Sequence, residues 1–235
     1  MQPDTDAWMP QAFGHRKPKD LTDPIVEPAW DGVRVLAHIA EGRARLIAAD
    51  GGDLGEAHPE IAEELGSAAL ADTLVVDGYL TDQALRSGVG VVLDVDDDTG
   101  LGEHVAQFYL GKRAAEYLGG RGRVPGGATA RTVSQAEAAA AEDALLIAFV
   151  AIDLLALDGE SLLDVPLLER KRLLESVLPE GARVRRTPFV REPAGSFIIT
   201  WRSAGFGGLA YKTANSRYRP GAPNDDWALM EMPRR

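Results

Sequence analysis

Apolar and polar side chains alternate on both sides of Glu41-Gly42. A two-residue period suits a half-buried strand, so 33–40 and 43–49 are predicted to pair as a β-hairpin, and Asp50-Gly51-Gly52-Asp53 supplies a second turn. The period then changes. Residues 59–65 open with Pro and Glu and read as a short helix, with Gly66 at its end. Residues 73–80 read as an apolar strand ending in polar residues, and 145–155 is so continuously apolar that it belongs at the centre of a sheet. Beyond the turn Asp158-Gly159, Asp164-Val165-Pro166 starts a helix whose Leu167, Leu168, Leu173, Leu174, Val177 and Leu178 form one apolar stripe, closed by Gly181. Residues 196–201 mix β-branched and aromatic side chains, and their element is left open.

Two stretches lack such order. Residues 1–23 are rich in Pro, Asp, Lys and Gln without periodicity, which predicts an arm or mobile strap carrying surface lysines such as Lys17 and Lys19. Residues 84–144 suggest a strand over 89–95, a helix over 102–118, and a capping-box pair, Ser134 and Glu137, before an alanine-rich run. Asp94, Asp96, Asp97 and Asp98 fit a solvated acidic turn, because no glutamate stands at the twelfth position that a calcium loop uses.

Composition narrows the function. With 235 residues and 45% hydrophobic content, the chain can bury a sizeable core in one domain, or in one domain with two lobes. Its net charge of -11 gives a long-range field that repels nucleic acid, so DNA binding is expected to be weak or absent. The absence of cysteine removes disulfides and thiol chemistry. His15, His38, His58 and His104 have no ligand spacing, and no metal is predicted. No leader or membrane-length apolar run is present, so the chain reads as cytoplasmic, without membrane contact. Arg183, Arg185, Arg186 and Arg191 form a local basic cluster, read as a solvated strand face or a weak anion contact.

The chemistry concentrates in Glu27-Pro28-Ala29-Trp30-Asp31-Gly32 and the following Arg34. Pro28 keeps Glu27 extended and Asp31-Gly32 bends the chain, so the intervening side chains should point into a concavity. Asp77-Gly78-Tyr79, Phe149 in the central strand, Gly207-Gly208-Leu209-Ala210-Tyr211-Lys212, Ser216 to Gly221, and Trp227-Ala228-Leu229-Met230-Glu231 follow in order. Together these segments resemble the ordered motifs of the ATP-dependent DNA ligase adenylation domain. The resemblance implies an α+β nucleotidyltransferase fold over 24–233, the one shared with mRNA-capping enzymes: two lobes of mainly antiparallel sheet flanked by helices, with a cleft between them. It also implies that 84–144 is an insertion-like, partner-specific surface, and that the oligonucleotide-binding (OB) domain which follows in most relatives is missing.

The departures share a chemical theme. The family's nucleophilic lysine is Ala29, which cannot attack a phosphate. Its phosphate-binding arginine is Ala49, its two carboxylates are Tyr79 and Gly207, and its last two lysines are Leu229 and Glu231. Glu27, Trp30, Asp31, Arg34, Asp77, Tyr79, Phe149 and Lys212 remain as the candidate site for ATP, AMP or another adenosine compound. The reading is a ligase-like domain that has lost covalent nucleotidyl transfer and acts as a nucleotide-responsive or structural module for a protein partner. The alternatives are an enzyme of altered mechanism using Lys212, or a DNA-repair ligase subunit completed in trans.

Overall fold

The computed structural model describes residues 4–84 and 147–232. The readings made for residues 85–146 lie outside the described residues. Among those described, twelve strands and three α-helices form two main sheets and one small one.

The larger sheet grows from the predicted hairpin. Strands β3 (Val33–Ala40) and β4 (Arg43–Ala48) pair antiparallel. Glu41 and Gly42 both take positive φ, 52° and 71°, as a tight turn matched to strand twist requires. On the other side β3 pairs with β5 (Thr73–Thr81), and β5 with β6 (Ala148–Leu157). Nine of the ten β6 positions are buried, which explains its unbroken apolar sequence. Short strands β7 (Glu160–Ser161) and β8 (Val184–Arg186) complete the sheet, β8 running parallel to β6. The smaller antiparallel sheet has the order β12-β10-β2-β9, from β2 (Pro24–Pro28), β9 (Val190–Arg191), β10 (Gly208–Thr213) and β12 (Trp227–Glu231).

Strand alternation divides the larger sheet's apolar residues between two cores. Val35, Ala37, Ile39, Val76, Phe149 and Ala151 face α1 (Pro59–Ala68) and α2 (Leu167–Val177). Leu36, Val75, Val150 and Ile152 belong instead to the core shared with the smaller sheet, where Ile25, Leu209 and Trp227 lie. The expected mainly antiparallel sheets flanked by helices are therefore observed.

Several local expectations change. Helix α1 continues through Gly66, which is buried because a Cβ there would come within 2.2 Å of the Gly42 carbonyl oxygen. Residues 195–203 form α3 (Gly195–Ser203), with Trp201 buried, so tertiary packing decides the open segment in favour of helix. The described part of the N-terminal arm is tied down rather than loose. Within it β1 (Ala12–Phe13) pairs parallel with β11 (Pro223–Asn224), and Gln11 is fully buried, its side-chain oxygen accepting from Arg219 N at 2.6 Å and Asn224 Nδ2 at 3.0 Å. Arg185 is also buried, so the basic cluster is not a uniformly solvated face.

Gly78 shows how closely the larger sheet is packed. A Cβ there would lie 2.5 Å from the Phe149 ring and 2.6 Å from the Val150 carbonyl oxygen, whereas Gly207 faces open space. Gly78→Ala is expected to destabilise the fold by about 1–3 kcal/mol, with Gly207→Ala near neutral. Urea unfolding of the two variants side by side checks the contrast.

Candidate functional site

At the inner face between the sheets, β2 presents Glu27 and β10 presents Lys212. Residues Ile25 and Glu27 share one face of β2, with Ala29 just beyond its end, and the register sets Lys212 opposite Ile25 and Ala210 opposite Glu27. Lys212 Nζ lies 2.7 Å from one Glu27 carboxylate oxygen, and Lys171 Nζ from α2 lies against the other. All three side chains are almost wholly buried. Lys212 also sits 4.0 Å from the centre of the Trp227 ring, a favourable cation–π distance, while Lys171 faces Phe189. Burial is the dominant influence on Lys212 and outweighs the attraction of Glu27, lowering its pKa to about 8. Lys171 adds to that decrease by like-charge repulsion.

A second network centres on Asp77. Arg34 and Asp77 come from neighbouring strands and meet in a bidentate pair, Nε to Oδ1 at 2.9 Å and Nη2 to Oδ2 at 2.6 Å. The Tyr218 hydroxyl donates to the same Oδ2 at 2.6 Å and accepts from the Gln11 backbone N–H at 2.8 Å. Burial opposes charge on Arg34, but the Asp77 carboxylate reverses the balance and raises its pKa above the ordinary value. Burial, followed by Asp77, pushes the Tyr218 phenol well up. Arg34 is also 5.7 Å from the ring centres of both Tyr79 and Trp227. Tyr79 therefore lies along the Arg34 guanidinium, and burial raises its own pKa.

A third pair, Arg170 and Asp153, is fully buried and bidentate at 2.8 and 2.6 Å. Arg170 Nη1 also donates to the carbonyls of Val165 and Ser216, joining α2 to the loop before Tyr218.

The remaining candidates separate. Trp30 is a packing residue: its indole N–H donates to Thr187 Oγ1 at 2.8 Å and its ring meets Phe206 edge-on at 4.9 Å. Asp31 leaves its carboxylate exposed, while its backbone N–H donates to Gln83. Phe149 does not line the inner face as expected. It points to the helix-covered face of the sheet, packed over Gly78, because Gly78 and Asp77 are consecutive on β5 and face opposite ways. It is a core residue and cannot stack on a base beside Arg34. Ala29 brings only its methyl, which would lie 3.3 Å from a Cβ at Gly208.

Glu27, Asp77 and Asp153 are each engaged by a cation within the protein, and among the described residues no three His, Cys, Asp or Glu side chains are grouped to share a metal. No helix of the described residues is long and apolar enough to cross a membrane.

Lys171, Arg170 and Tyr218 were absent from the expected site. A signal for Lys171 was available: it stands four residues after Leu167 and three before Leu174, on the helix face that both leucines bury. Tyr218 lay inside a recognised motif, but its link to Asp77 spans 141 positions and has no local signature.

Comparison with known proteins finds DNA ligases in both sequence and structure. The model of the ATP dependent DNA ligase domain matches residues 121–230. A probable DNA ligase of Streptomyces coelicolor is 29% identical over 210 residues, covering 88% of this chain and 34% of the relative. A DNA ligase of Natronomonas pharaonis is 27% identical over 202 residues, covering 86% and 31%. The chain thus spans about a third of the length of these relatives. In structure it is similar to the ligase domain of M. tuberculosis LigD, with TM-score 0.60 and 22% identity, covering 97% of this chain and 61% of that one. A mycobacterial DNA ligase D complexed with ATP and MES gives TM-score 0.60 at 21% identity, with 97% and 62% covered.

The depressed Lys212 pKa has a consequence for stability. Above about pH 8 the folded chain releases a proton that an unfolded lysine still holds. Stability from this group therefore rises with pH until the ordinary lysine value is reached, and below that window the buried ammonium is a net cost. The unfolding free energy of the wild type minus that of Lys212→Met should grow from about pH 7.5 to about pH 9.5, by at most about 1.4 kcal/mol per pH unit. Chemical denaturation across that range checks the slope, and a falling difference would contradict the assignment.

Proposed function

We propose, from the premise that this chain is an adenylation domain of the ATP-dependent DNA ligase family, that it binds an adenosine-containing ligand without forming a covalent AMP adduct and relays that binding to a protein partner. One observation carries the reading: at position 29, where the family places its nucleophile, there is a methyl group, while the neighbouring amines Lys171 and Lys212 are both held by Glu27. An amine attacking an α-phosphate needs a free lone pair and cations to offset the leaving pyrophosphate. Lys212 is buried and ion-paired, and Leu229 and Glu231 offer no positive charge.

The ligand class rests on what is retained. Arg34, Asp77, Tyr218, Lys212 and Trp227 form an aromatic and charged inner face on a fold similar to that of a mycobacterial DNA ligase D complexed with ATP. Arg34, Tyr79 and Trp227 supply polar and ring contacts of the kind a nucleoside takes. A protein partner is favoured over DNA by the net charge of -11, because phosphate backbones are repelled at long range.

Intact-mass measurement after incubation with ATP and magnesium tests the reading directly. No AMP adduct is expected on the wild type, and none on Ala29→Lys, because nucleophile, phosphate cations and carboxylates act as a unit. Calorimetry on the same sample should register adenosine or AMP. A wild-type adduct would overturn the loss of transfer, and silence toward both ligands would overturn nucleotide binding.

A further inference from the structure

The smaller sheet ends in β12, and the outer edge of that strand is open beyond its first residue. Two bonds at the ends of the β10–β12 ladder set its phase: Thr213 N–H donates to the Asp226 carbonyl and Met232 N–H to that of Gly207, both at 2.8 Å. In an antiparallel pair, residues bonded to the neighbour alternate with residues turned away from it. Ala228 and Met230 therefore bond to β10, while Trp227, Leu229 and Glu231 direct their N–H and C=O groups outward. The Gly14 N–H agrees with that phase by donating to the Trp227 carbonyl at 2.9 Å. Among the described residues, no backbone group bonds to the outward N–H or C=O of Leu229 or Glu231.

The other edges of the two main sheets are closed or very short. On β4 the Leu54 N–H donates to the Leu46 carbonyl and the Ala48 N–H to that of Gly52, and the exposed Arg43 and Arg45 add charge. The Val184 and Arg186 amides of β8 donate to Glu64 and Glu180. Strands β7 and β9 have two residues each. Such devices keep a strand from recruiting another chain. Over 229–231, β12 instead exposes apolar side chains on both of its faces, Leu229 at 54% and Met230 at 36%.

We propose that the β12 edge over Leu229–Glu231 is where this chain takes its protein partner, by adding an extended segment of that partner as a further strand. The proposal rests on the partner reading above and gives it a place and a chemistry. Strand addition selects a peptide, because alternating N–H and C=O groups are what Leu229 and Glu231 can pair with. The neighbouring side chains set the composition of the added strand. Beside Leu229 and Met230 it needs apolar residues, and Met230 borders an open cavity of about 490 Å³, walled also by Pro18, Leu21 and Tyr211, in which one can lie. Opposite the exposed Glu231 it needs a basic residue. A second copy of this chain does not meet that need, since β12 carries no cation and two chains of net charge -11 repel.

A phage-displayed library of random peptides about nine residues long, enough for a strand, selected on the full chain without nucleotide, tests this. Enriched peptides should be rich in β-branched or aromatic residues and carry Lys or Arg. Fluorescence anisotropy with the best synthetic peptide then measures affinity. N-methylating one alternate set of its backbone amides should weaken binding at least about tenfold, and methylating the other set should change it little, because a single face of the added strand meets β12. Leu229→Pro removes an outward N–H and no bond to β10, and should weaken binding to a similar degree. Glu231→Lys should weaken it more than Glu231→Gln.

Peptides that bind with an affinity unmoved by Leu229→Pro and by either methylation pattern would overturn the edge and leave a partner surface elsewhere. A library from which nothing is enriched would overturn the edge and the partner reading together, so the two failures are distinct. If Leu229→Pro does not fold, the two methylated peptides on the wild type still decide: unequal effects support strand addition, and equal effects sink it. None of these outcomes depends on nucleotide binding.

Discussion

Seven charged side chains, six of them buried and Arg34 partly so, meet where the two sheets and α2 come together, and the structure depends on how they neutralise one another. Removing a carboxylate or guanidinium from water costs several kcal/mol unless its partners are close and well directed. Arg34 with Asp77 and Arg170 with Asp153 meet that requirement through bidentate geometry within the larger sheet and between that sheet and α2. The Lys171–Glu27 contact ties α2 to β2, and the Tyr218–Asp77 bond ties the loop before β11 to β5. The interface between the sheets is thus fixed by directional polar contacts as well as by apolar area. Directional contacts define a relative position that area alone leaves loose.

The N-terminal segment extends this logic. Gln11 is buried at the point where its backbone N–H reaches the Tyr218 hydroxyl, and Phe13 lies 5.6 Å from Trp227. The Gly14 N–H donates to the Trp227 carbonyl at 2.9 Å. Residues without periodic pattern are therefore bound to the same aromatic and charged surface that Lys212 and Arg34 share. Asp6, farther out, faces His38 and Arg45 of the larger sheet, so one strap touches both sheets.

The substitutions at the site gain meaning from this arrangement. The acids and bases of the inner face engage one another, with Glu27, Asp77 and Asp153 each held by at least one cation. A site built to close over a metal and three phosphates needs several groups held apart and uncompensated, ready for charge brought by the ligand. Here most of that capacity is used within the protein.

Elements whose cause is local are legible in the chain alone. The hairpin turn at Glu41-Gly42, the buried run of β6 and the apolar stripe of α2 all follow from periodicity and turn chemistry within a few residues. The ordered motifs fixed the fold class, and Ala29 fixed the absence of an amine at its own position. Tertiary structure decided what depends on facing and partnership. It turned Phe149 away from the inner face, because neighbouring positions on a strand point to opposite sides. It brought Lys171 to Glu27, and Tyr218 to Asp77 across 141 positions. It also made a helix of residues 195–203 and a buried close contact of Gly66. Such outcomes arise from packing between distant segments, and no local pattern in the chain encodes which distant group will arrive.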